Sequence, residues 1–209
     1  MSALLELLNS PMGKTIINGV SQSTGKSEDQ TGQVLSMALP VLMGAMKKNV
    51  QTQEGANGLM NAISNKHDGS ILDNLGGLFQ GGVDEHVVQD GAGILGHLLG
   101  DKQPAVENTL SAKSGMDAGS ISQILKVAAP ILMGVIGKQT KQSNVNDSTG
   151  MNALLGSMLG GQPQENQSLI ESLLDADGDG SIMDDVAGMV LGGKKKGGIG
   201  GLLGGLFGK

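Results

Sequence analysis

Asp175, Asp177 and Asp179 set three carboxylates at alternate positions of the stretch Asp-Ala-Asp-Gly-Asp-Gly-Ser, a spacing that suits a calcium ion. In such a loop the first, third and fifth side chains converge on the cation, a glycine at the sixth position turns the chain, and the seventh residue adds its carbonyl. Gly180 and Ser181 fill the sixth and seventh places. The twelfth place, where a closing carboxylate is needed, is Val186, so Asp184 and Asp185 are the acids left to complete the shell. The predicted ligand set is therefore Asp175, Asp177, Asp179, Ser181, Asp184 and Asp185, with Ca2+ as the cofactor. Without a cation these carboxylates repel one another. The alternative is an acidic turn that caps a helix from Ser181, where negative charge meets the positive end of the helix dipole.

The segment resembles the broader Asp-x-Asp-x-Asp-Gly calcium loops, those of dockerins among them, more than a complete EF-hand. It has a reduced counterpart earlier in the chain, since Asp68-Gly-Ser-Ile-Leu-Asp73 matches Asp179-Gly-Ser-Ile-Met-Asp184. At that offset of 111 residues, Asp175 and Asp177 correspond to Ser64 and Lys66. A lysine in place of an acid prevents the first copy from binding calcium in the same way. The turn is shared, with Ser70 or Ser181 expected as the cap of a following amphipathic helix.

Two other patterns carry less chemistry. Thr24-Gly25-Lys26-Ser27 echoes a phosphate-binding loop, but the upstream Gly19 is one residue too far and no strand precedes it. Ser27 reads instead as a helix cap, and no nucleotide is expected. His67, His86 and His97 are the only imidazoles. On one continuous helix His86 and His97 lie about 16 Å apart, too far to share a metal. His67 has no orienting partner near it in sequence, so all three read as surface or boundary residues and no catalytic set is assigned.

The elements that must position these groups are helical. Apolar residues recur at three and four rather than two. Helices are expected at 3–8 and 12–20, broken at Asn9-Ser10-Pro11, and a long one at 27–50. Its counterpart covers 117–141, because residues 33–48 align with 123–138 at an offset of 90 with eight identities. Both long helices are apolar nearly all round, as at the centre of a bundle, and both carry an interior proline, Pro40 or Pro130, expected to kink the axis. Gly44 and Gly134 follow each proline at i+4, leaving room for a neighbour. Polar connectors at 49–56 and 139–149 precede helix starts near Gly58 and Gly150, and further helices are expected at 83–99 and 104–114.

Composition bounds the rest. The chain has 209 residues, no cysteine, two aromatics and twelve methionines, so its core is aliphatic and adaptable and holds no disulfide or thiolate site. A net charge of −6 without aromatic stacking surfaces argues against a nucleic-acid partner. No basic leader precedes the first apolar run, and no stretch reads as a membrane span. The final stretch has three consecutive lysines, Lys194 to Lys196, and then little beyond glycine and leucine.

The duplicated Gln-[Val/Ile]-Leu-x4-Pro-[Val/Ile]-Leu-Met-Gly helix, the acidic Asp/Gly segment and the Gly/Leu-rich end together resemble the bacterial family catalogued as domain of unknown function 937, with YidB-like proteins among its broader relatives. That resemblance implies an all-helical bacterial protein and supplies no activity. The expectation is an all-α bundle of two pseudo-repeated lobes, 1–100 and 101–192, followed by a tail, 193–209. It would act in the cytoplasm as a non-enzymatic scaffold or self-assembly protein stapled by one calcium loop, with itself or another protein as partner. The alternative is a peripheral membrane protein tethered through residues 194–209, whose lysines suit anionic headgroups.

Overall fold

A computed structural model describes residues 3–174, of which 84% are helical and none is in a strand. The helices are α1 (Ala3–Asn9), α2 (Pro11–Thr24), α3 (Glu28–Asn49), α4 (Gln53–Asn65), α5 (Leu75–Phe79), α6 (Glu85–Leu99), α7 (Gln103–Ser114), α8 (Ala118–Gln142), α9 (Ser148–Leu159) and α10 (Gln164–Leu174). Short 3-10 turns at Ser70–Asn74 and Gly100–Lys102 lead into α5 and α7.

Local chemistry sets most boundaries. Pro11 opens α2, where its missing N–H costs nothing, and Ser10 caps it by accepting from the Gly13 N–H at 3.1 Å. Ser27 does the same for α3 through Gln30 N–H (3.2 Å), and Asp117 for α8 through Ser120 N–H (2.9 Å). Thr52 and Asp147 cap α4 and α9, which start earlier than expected, so the non-helical connectors shrink to 50–52 and 143–147. The turn joining α2 to α3 recurs ninety residues on between α7 and α8. Gly25 and Gly115 end their helices in the left-handed region at φ 65° and 70°. Ser21 and Ser111 each donate a 2.6 Å hydrogen bond to the carbonyl five residues later. Lys26 joins the two turns, its Nζ lying 2.8 Å from Asp117 Oδ2.

At the centre, residues 38–46 of α3 and 127–134 of α8 are buried without interruption. One aliphatic core joins residues from every α-helix, from Leu4 to Leu174. Among the described residues, α8 alone is long and apolar enough to cross a membrane, and 72% of its most apolar window lies inside this core.

Both long helices run unbroken through their prolines, and each proline frees the carbonyl four residues before it. The Ser36 carbonyl receives Asn166 Nδ2 at 3.2 Å from α10, a helix not among those expected from the sequence. The Lys126 carbonyl lies against Gly91 of α6, where a Cβ would overlap its oxygen. Gly44 and Gly134 are the expected notches: Ile170 Cγ2 lies 2.8 Å from where a Gly44 Cβ would stand, and Ile71 fills the same role at Gly134.

Candidate functional site

The predicted ligands Asp175, Asp177, Asp179, Ser181, Asp184 and Asp185 lie outside the described residues, as does the tail from residue 193. Their first-copy counterpart is described, and it shows what the shared turn does. Asp68 Oδ1 accepts the Ser70 N–H at 3.1 Å, and Oδ2 accepts Lys141 Nζ at 2.8 Å. Gly69 turns the chain at φ 103° with its bare α-carbon against Lys138. The hydrogen bond from Lys141, reinforced by Ser70, holds the Asp68 carboxyl well below the usual range.

Ser70 is thus not the expected cap. The aspartate two residues earlier reaches the orphan N–H first, and a 3-10 turn and the five-residue α5, capped by Asn74, replace the predicted amphipathic helix.

The turn is seated on one stripe of α8. Gly134, Gly137, Lys138 and Lys141, at i, i+3, i+4 and i+7, meet Ile71, the His67 carbonyl, Gly69 and Asp68 in turn. The degenerate loop therefore pairs its Asp68 carboxylate with an ammonium from the second half of the chain. No cluster of three or more potential metal-ligating side chains occurs among the described residues.

His67 departs from the surface reading. It is 6% exposed, and its Nε2 lies 3.5 Å from Asp90 Oδ2 on α6. Burial lowers its pKa from 6.5, Asp90 opposes that, and Lys66 adds to it. Its environment comes from α6 and α8, far away in sequence, so no local signal marks it. His86 and His97 are exposed, as expected. The 24–27 segment is a helix-ending glycine, an ion-pairing lysine and a cap.

The approach to the second acidic segment is also described. α10 lies on α3, and the carbonyl of its last residue, Leu174, accepts 2.9 Å hydrogen bonds from both Lys48 of α3 and Lys102 of the second 3-10 turn. Lysines near a helix C-terminus satisfy orphan carbonyls and complement the dipole. Lys48 stands ninety residues before Lys138. The Asp68 turn thus meets the C-terminal end of α8, and Leu174 that of α3. Lys48, Lys102, Lys141 and Asp90 were not singled out from sequence; the offset that relates Lys48 to Lys138 is the one signal that pointed to any of them.

No curated protein and no solved structure matches the chain. The model of a bacterial protein family of unknown function, DUF937, matches residues 6–139, which include α2 to α7, the Asp68 turn and most of α8. By that match over more than half its length, with the duplicated helix and the Asp68 turn inside it, the chain belongs to the DUF937 family.

Proposed function

We propose that this protein is a non-enzymatic helical scaffold that self-associates, with a calcium ion at Asp175, Asp177, Asp179 and Ser181 and with Asp184 or Asp185 closing the shell. The observation that supports the calcium half best is the Asp175, Asp177, Asp179, Gly180 spacing itself, which follows directly on the last residue of α10, Leu174. A cation gathered there would act one residue from α10, whose seat on core helix α3 it would reinforce. The ionisable groups of the described part favour a structural rather than a catalytic reading. Asp68 holds a turn and Lys141, Asp117 caps α8 and holds Lys26, and His67 is enclosed.

Calorimetric titration with calcium, with the melting temperature followed on the same samples, tests this. Wild type is expected to bind with a dissociation constant in the micromolar to millimolar range and to gain stability by mass action, about 2.7 kcal/mol at a hundredfold excess over that constant. Asp177→Ala should show neither. Heat and stabilisation undiminished in Asp177→Ala would remove the assigned ligands. Sedimentation equilibrium addresses assembly separately, and a monomer at all concentrations with and without calcium would reject that half of the proposal.

A further inference from the structure

Five residues, Leu-Gly-Gly-Leu-Phe, occur twice in this chain, at 75–79 and 203–207. The first occurrence is α5, and its packing is visible. Leu75 is buried, and the Phe79 ring lies directly on the bare α-carbon of Gly19 in α2, where any Cβ would collide with it. In this molecule the pentapeptide is a packing element that seats an aromatic ring on a helix glycine. The counterpart of Gly19 ninety residues on cannot serve the second occurrence, since it is Thr109, whose hydroxyl is bonded to the Ala105 carbonyl.

A second helix glycine borders an apolar cleft elsewhere among the described residues. Between α4 and α6 a cleft of about 530 Å³ opens over a floor of Met46 and Met133, with Leu59, Ile94 and Leu98 in its walls. Its volume lies in the range of small-molecule and side-chain pockets, and its methionines can adapt to an occupant. Gly58 presents bare helix backbone to this cleft, with no atom within 4 Å of where its Cβ would stand.

Reach and charge identify the occupant. The described residues end at Leu174, held by Lys48, and the next residue of α3, Asn49, lines the cleft. Residue 203 is 29 positions further on, and even with 175–186 gathered around a cation the 17 residues from 186 to 203 can reach up to roughly 55 Å when extended. Lys209, two residues after Phe207, supplies an ammonium for Glu54 among the lining residues. We infer that residues 203–207 dock in the α4–α6 cleft of their own chain, with Phe207 over Gly58 as Phe79 lies over Gly19. This inference is independent of calcium binding.

The chain contains neither tryptophan nor tyrosine, so Phe207→Trp in the full-length protein introduces a single indole. Its emission is expected to be blue-shifted and shielded from acrylamide relative to a free peptide of residues 199–209 carrying the same change. Adding Gly58→Leu, which fills the seat while favouring the α4 helix, should return both readings to those of the peptide with no loss of helical circular dichroism. Peptide-like emission in the single variant, or shielding that survives Gly58→Leu, overturns the inference. Shielding lost on hundredfold dilution assigns the seat to a second copy and overturns docking within the chain. Shielding that arises only with anionic phosphatidylglycerol vesicles assigns the segment to a lipid surface and overturns the cleft.

Discussion

Asp68 and Asp117 play the same part in two different turns. Each accepts a backbone N–H two or three residues ahead and an ammonium from the other half of the chain. In both, the lysine hydrogen bond is the largest cause of a carboxyl pKa held well below its ordinary 3.8. A carboxylate depressed in the folded state stabilises it above the unfolded value and loses that contribution as pH falls through the folded one. His67 acts in a different window. Burial lowers its pKa from 6.5, so stability is full above that value and declines below it as the unfolded chain takes up the proton first. The melting temperature should therefore fall in two stages on acidification, one beginning near 6.5 and one below 3.8. Thermal unfolding against pH should show His67→Gln flattening only the upper stage, and Asp68→Asn with Asp117→Asn only the lower. A His67→Gln profile that overlays wild type would remove His67 from the upper stage.

Among the elements, the most informative is α10, because it is placed by what α3 lacks. Pro40 deprives the Ser36 carbonyl of its helical donor, and Asn166 supplies one from outside. The same buried Nδ2 also donates to Gln162 Oε1 at 3.3 Å. Asn166→Ala should cost about 1–3 kcal/mol, the range for leaving a buried carbonyl without its donor. In a Pro40→Ala background the restored N–H can bond Ser36 itself, and the cost of Asn166→Ala should shrink. A double-mutant cycle by chemical denaturation measures this coupling, and strict additivity would mean that Asn166 and Pro40 do not act on one carbonyl. The same contrast explains what could be read from the chain beforehand. Ser27, the break at Asn9-Ser10-Pro11 and the two long helices were legible because caps, prolines and a three-to-four apolar repeat are local. α10 was not assigned, although Leu169, Ile170, Leu173 and Leu174 follow the same repeat; what no local signal shows is its seat on the Ser36 carbonyl. Nor was the Asp68 turn legible, where Ser70 competes with an aspartate two residues away. At the candidate site the acidic spacing was visible, whereas Lys141 and Lys48 reach their partners only through the packing of one repeat on the other.

At the scale of the molecule the first and second halves of the described chain pack into each other. α3 packs on α8 and α9, α2 touches α8, α1 reaches α9, and the Asp68 turn of the first half rests on the long helix of the second. The Lys26–Asp117 pair ties the equivalent turns, and α10 returns from the second half to cover Gly44 of the first. Core residues from both halves belong to one aliphatic cluster, so separating them would expose Leu, Ile, Val and Met side chains at roughly 1.5–3 kcal/mol each. A half that unfolded alone would strip the other of this cover. Heat should therefore melt the bundle in one cooperative transition, with the calorimetric enthalpy equal to the van't Hoff enthalpy. A van't Hoff value well below the calorimetric one, or separate midpoints in the two halves by hydrogen exchange, would show that each repeat keeps a core of its own. Cooperative melting would also carry any change in the seat of α10, on α3, to the Asp68 turn on α8, because neither long helix can lose its cover without disturbing the other.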